Sequence, residues 1–132
     1  MVKAVKITTD NRISVVELPS WSLEAQEKEI GADCTETVKT QIMYNLFREM
    51  VVMIVDESGG IKKLPENPVA SFLYGVQNHG CPIYGDVLFG VQRGPDILPL
   101  ENPELVKFFL KDHFKVLQDA EDSRGGVAEN EQ

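Results

Sequence analysis

The polar and apolar positions change period several times along the chain. At the start, "KAVKITT" (residues 3–9) and "RISVVELP" (12–19) alternate and are rich in β-branched residues, with Asp10 and Asn11 between them. Asp and Asn tolerate the left-handed turn conformation, so this pattern predicts an opening hairpin. "SWSLEAQEKEIGAD" predicts a short helix. Ser22 can accept hydrogen bonds from the free amides of the first turn, and Gly31 can supply the left-handed stop.

"CTETVKTQIMY" carries two patterns at once. Val38 and Ile42 sit four apart, as on a helix face, yet 38, 40, 42 and 44 would line one face of a strand. The β-branched cluster favours the strand. After a turn near Asn45 to Glu49, "MVVMIV" reads as a buried strand, followed by the turn "ESGG" and a short returning strand. "ENPVASFLYG" begins with Asn67 as helix cap and Pro68 at the first helical position, where its missing amide costs nothing; Gly75 suits the position past the end.

"CPIYGDVLFGVQ" then predicts a strand in which Gly85 marks a bulge or a close backbone approach. "RGPDILPLENP" reads as a loop. Asn102 and Pro103 repeat the capping device ahead of a closing amphipathic helix, with Leu105, Phe108, Phe109, Phe114 and Leu117 near helical spacing.

Composition narrows the class. The 132 residues are 42% hydrophobic, and the longest apolar run, Met50–Val55, is strand-sized rather than membrane-spanning. The beginning of the sequence lacks the long apolar segment of a signal peptide, so a cytoplasmic protein is expected. Residues 119–132 carry five acids and one base, half of the net charge of −8, and read as a disordered acidic tail after a single domain over 1–118. A mildly acidic body argues against a nucleic-acid backbone as partner, which needs clustered Lys and Arg. Two cysteines, Cys34 and Cys81, are too few for a disulfide framework.

Candidate chemistry gathers in "SFLYGVQNHGCPIYGDVLFG", with glycines at 75, 80, 85 and 90. The G-x-x-x-x-G spacing occurs three times, but the pairs that follow are Cys81-Pro82, Asp86-Val87 and Val91-Gln92. A phosphate loop needs Lys and then Ser or Thr there, so no nucleotide loop is expected. Two cysteines and two histidines could make up a zinc set by number, yet none has the paired spacing of structural sites, and no metal or other cofactor is implied.

Cys81 as nucleophile would need a base and an oxyanion hole. His79 is near in sequence, but Pro82 removes a backbone donor. No catalytic residues are assigned, and the protein is read as a non-enzyme. A binding rim remains: Tyr74, Asn78, His79, Tyr84 and Arg93 surround an irregular connection, and tyrosine and arginine are favoured interface anchors.

The order of signals from Gly31 through the closing helix resembles a small domain family of unknown function, widespread in phages, plasmids and integrated elements of Firmicutes and Actinobacteria. The resemblance rests on "EIGA" before a β run, "MIVDESGGIKKLPEN", a short helix and "PIYGDVLFGV", and it covers roughly residues 20 to 115. Where this chain has Asn67-Pro68, the family often has Asn-Arg, so any role of that arginine is absent or moved. The resemblance supports a strand over 34–43 and implies a mobile-element origin, with no activity attached.

These readings together predict an α+β domain, a mainly antiparallel sheet with two or three helices packed on it. The expected function is a non-enzymatic phage or mobile-element accessory protein that binds and inhibits a host protein, an antiviral defence component. The alternatives are a nucleotide-signal sponge using Tyr74, Tyr84 and Arg93, and a Cys81-dependent enzyme. A homodimer is the expected oligomer, because a small sheet with free edges often pairs with its own copy.

Overall fold

Strand β1 (Val2–Ile7) and strand β2 (Ile13–Leu18) form the opening hairpin, in register from Val2 opposite Leu18 to Ile7 opposite Ile13. Thr8 N–H donates to the Arg12 carbonyl at 3.0 Å, and Asn11 turns the chain at φ +68°. This is a computed structural model, and it describes residues 1–75 and 80–114. Asn78 and His79 of the binding rim, Leu117 and the acidic tail fall outside the described residues.

Helix α1 (Leu23–Ile30) is capped as its sequence predicts. The Ser22 hydroxyl accepts from Ala25 N–H at 3.1 Å, and Gly31 ends the helix at φ +71°. Strand β3 (Thr35–Val38) is shorter than the predicted run, because helix α2 (Gln41–Phe47) takes over three residues later. Two forces outweigh the β-branched propensity there. Thr40 caps the helix by accepting from Met43 N–H, while its own hydroxyl donates to the Leu73 carbonyl at 2.7 Å. Met43 and Phe47, four apart, are both buried in the core.

All six residues of strand β4 (Val51–Asp56) are buried. Helix α3 (Pro68–Tyr74) and strand β5 (Val87–Arg93) follow. The returning strand expected after "ESGG" does not form: among the described residues that segment makes turns and a single bridge between Glu66 and Tyr84. The strand expected from Cys81 begins only at Val87, since Gly85 adopts φ +87° ahead of it. The expected loop after Arg93 instead contains strand β6 (Asp96–Leu98), folded back on β5 by a tight turn at Gly94-Pro95. Helix α4 (Pro103–His113) closes the described chain, with the Asn102 side chain accepting from Leu105 N–H.

The sheet is antiparallel throughout, in the order β2-β1-β5-β4-β3. β1 pairs with the first residues of β5, and β6 takes the same edge of β5 from Val91 onward. Helices cover both faces. Val5, Ile7, Met53, Val55, Phe89 and Val91 face the larger core shared with α2, α3 and α4. Ala4, Leu18, Ile54 and Leu88 face a smaller one under Ile30 of α1.

A sheet sandwiched this way needs apolar residues at consecutive positions, which explains the unbroken "VVMIV". Each fully buried side chain such as Phe89 or Leu110 contributes roughly 1.5–3 kcal/mol. The described residues hold four helices, more than the two or three expected, because the stretch read as a long third strand divides into β3 and α2. The α+β class itself holds.

Candidate functional site

Asn67 organises the segment that carries most of the predicted rim. Its side chain is completely buried. The carboxamide oxygen caps α3 by accepting from Ala70 N–H at 3.1 Å, and the amide donates to the carbonyls of Ile7 (3.1 Å) and Gly85 (3.0 Å). Asn67 N–H also donates to the Ile83 carbonyl, and the Ser71 hydroxyl accepts from Ile83 N–H at 2.8 Å. Asn67 is therefore more than the helix cap its sequence context predicts. It ties α3, β1 and the approach to β5 into one unit.

That unit holds Tyr84 against the turn after β4. A Cβ on Gly59 would lie 2.8 Å from the Tyr84 carbonyl oxygen, so only glycine admits the contact. Tyr84 and Tyr74 then line one cleft of about 270 Å³ with Glu36, Asp56, Glu57 and Cys81. The buried Asp56 carboxylate accepts from Ser58 N–H at 2.8 Å and pairs with Lys62 Nζ at 2.7 Å. Asp56 raises the Lys62 pKa, chiefly by hydrogen bonding and also by its charge, with Asp33 contributing. At the neighbouring strand end, the Glu57 carboxylate accepts from the Cys34 thiol at 3.4 Å and pushes the thiol pKa up.

Arg93 stands elsewhere. It ends β5, while Tyr84 precedes that strand, and seven strand residues span about 20 Å. Arg93 pairs with Glu49 at 2.9 Å and reaches Glu101 at 3.8 Å. It borders a separate recess of about 130 Å³ with Phe47, Leu100, Leu105 and Phe109. The structure thus brings Tyr74 and Tyr84 together and leaves Arg93 apart.

The feature that sequence reasoning missed lies on the outer side of the helices. Phe108 is 61% exposed, Phe72 51%, Leu105 46% and Phe109 38%. The closing helix was expected to bury Leu105, Phe108 and Phe109. It buries Val106 and Leu110 instead, together with Phe114, which the expected stripe also included. Between α2 and the end of α4, Ile42, Leu46, Phe72 and His113 line an apolar recess of about 360 Å³ with Asn45. The Phe72 ring packs on His113 and stands edge-on to Phe114, 5.5 Å between centroids. A signal was present in the sequence: six large apolar residues in α4 and its cap exceed what one buried stripe holds.

Among the described residues no group of His, Cys, Asp and Glu is placed to hold a metal ion, and no helix is long and apolar enough to cross a membrane. Fold and surface together define a three-layer α+β domain whose helical layer presents an apolar outer face. No protein-family model matches the chain, and neither the curated proteins nor the solved structures include a match.

Proposed function

We propose that the protein is a non-enzymatic binding protein that docks on a host protein through the outer face of α2, α3 and α4 and inhibits it by covering its surface. The observation that carries this reading is the exposure of Phe72, which lines the apolar recess with Ile42 and Leu46, together with that of Leu105, Phe108 and Phe109 on α4. Large aromatic side chains left in water on a folded domain lose hydrophobic free energy that a partner recovers. Aromatic anchors of this kind dominate interface energetics. The resemblance to a mobile-element family supplies the setting, the cytoplasm of a bacterial host, and makes a component of host antiviral defence the natural target class.

The nucleotide-sponge alternative is the weaker reading. Among the described residues, those lining the tyrosine cleft include Glu36, Asp56 and Glu57 and no cation, and Arg93 is too far away to neutralise a phosphate bound there. The enzyme alternative would need a group that activates Cys81. Among the described residues, the charged side chains lining its cleft are carboxylates, which oppose formation of a thiolate.

The test is affinity capture from host lysate with the wild type, Phe72→Ser and Phe108→Ser. A single defined protein retained by the wild type and lost by both variants, at unchanged thermal stability, supports the reading. Equal capture by all three, or recovery of bait alone, rejects it.

A further inference from the structure

We infer that the outer edge of β2 is a pairing edge for a second copy of this chain, joined antiparallel about Val15. The backbone geometry of the hairpin fixes which groups that edge offers. Thr8 N–H bonds to the Arg12 carbonyl, and antiparallel pairs alternate between hydrogen-bonded and non-bonded. Carried along the register, Ser14, Val16 and Leu18 exchange bonds with Lys6, Ala4 and Val2. The N–H and C=O groups of Ile13, Val15 and Glu17 therefore point away from β1. Among the described residues no strand pairs with them.

The opposite edge of the sheet shows how this protein protects a strand it leaves open. β3 has four residues, carries the exposed Glu36 and is followed by Lys39 before the chain turns into α2. Short length and charge are the usual devices against edge pairing. β2 has neither. It runs six residues, "ISVVEL", with Glu17 as its one charge and no proline before Pro19.

The edge is also self-complementary. With a twofold axis at Val15, Ile13 faces Glu17 of the second copy, and Val15 faces its own equivalent. All the outward backbone groups of Ile13, Val15 and Glu17 then find partners in one register. Apolar side chains also meet across the junction on the three-helix face, where Val15 lies against its own equivalent, while on the α1 face Val16 lies opposite Ser14 of the second copy. A second copy therefore covers Val15, which is half-buried in the single chain. This inference is independent of the docking face, whose aromatics lie on α3 and α4.

Sedimentation of the full chain over a concentration series tests it. A species of twice 14.8 kDa is expected for the wild type. Val15→Pro removes an outward N–H that β1 does not use, so it is expected to give a folded monomer. Should that variant fail to fold, a cross-link decides. In a background with Cys34→Ser and Cys81→Ser, Val15→Cys places like residues about 5.5 Å apart across the axis, within disulfide reach. Rapid oxidation to a covalent dimer is expected, with Glu36→Cys on the protected edge remaining monomeric. A wild type that stays at monomer mass at every concentration overturns the inference, even if the edge then takes a strand from another protein. So does a dimer unaffected by Val15→Pro, or equal cross-linking of Val15→Cys and Glu36→Cys.

Discussion

The start of α3 and the outer face of α4 treat their side chains in opposite ways. At Asn67 every polar atom of a buried side chain has a partner: one amide to cap, two carbonyls to hold. On α4, Leu105, Phe108 and Phe109 have large apolar surfaces that the fold leaves in water. The first arrangement is complete within the chain and is explained by folding alone. The second is incomplete among the described residues, and that makes it, and not the glycine-rich stretch, the candidate for a partner. Low polarity by itself does not mark a core, and a buried polar residue does not by itself mark a site. What distinguishes the two regions is whether each group's interactions are closed by this chain.

The sharpest break of that contrast is Asn67→Ala. It removes the cap, worth about 1 kcal/mol, and strands the carbonyls of Ile7 and Gly85 in the interior, at about 1–3 kcal/mol of desolvation. A loss of about 2–4 kcal/mol in urea unfolding is expected. Asn67→Asp keeps the capping oxygen but loses both donated bonds and buries a charge, so it is not expected to rescue. If either variant unfolds like the wild type, the hub reading of Asn67 is wrong.

The Asp56–Lys62 pair gives a pH test of a second closed interaction. Asp56 raises the folded-state pKa of Lys62. A raised pKa means the folded protein holds its proton more tightly than the unfolded chain does. The stabilisation is therefore complete below the unfolded value, near 10.4, and is lost as pH rises through the folded value. Urea midpoints measured from pH 8 into the alkaline range should fall for the wild type. In Lys62→Met the midpoint should be lower at neutral pH, since Asp56 loses its counter-ion, and its alkaline decline shallower. Parallel decline in both proteins would remove Lys62 as the cause.

Phe108→Ser probes the open region, and its stability effect should be the smallest of the three. The side chain is more than half exposed, so a change within about 0.5 kcal/mol is expected, together with loss of partner capture. A large loss of stability would mean that Phe108 belongs to the core after all, and the contrast with Asn67 would collapse.

How much of this was legible beforehand follows from the range over which each signal acts. The three caps at Ser22, Asn67 and Asn102 were readable because cap and amide lie three residues apart. The hairpin and the buried β4 were readable from period and run length. Helix α2 was not, because Thr35, Thr37, Val38, Thr40 and Ile42 favour a strand locally. Burial of Met43 and Phe47 against the sheet decides otherwise, and that contact is non-local.

β6 was hidden by its length of three residues and the flanking Pro95. In the predicted rim, Tyr74 and Tyr84 converge through the Asn67 and Ser71 hydrogen bonds, which no sequence spacing displays. Arg93 lies nine residues beyond Tyr84 in sequence, but an intervening strand carries it to the other end of the sheet. The aromatic face was visible only as an excess of apolar positions, and an excess shows its location only once the buried stripe is known.

The finest test returns to the two exposed cysteines, which the composition cannot tell apart. Cys34 is paired with Glu57, which accepts the thiol hydrogen and repels a thiolate, so its pKa is raised above the ordinary thiol value. Only the thiolate reacts with a disulfide reagent, and the fraction present near pH 8 falls as the pKa rises. In a Cys81→Ser background, labelling of Cys34 should therefore be slow for so exposed a thiol. Glu57→Gln should accelerate it severalfold without changing its exposure. The nearby Glu27 and Asp56 charges also raise this pKa, so the gain should stop short of a free thiol's rate. An unchanged rate would show that Glu57 does not control the thiol, and that Cys34 is as open to chemistry as its exposure suggests.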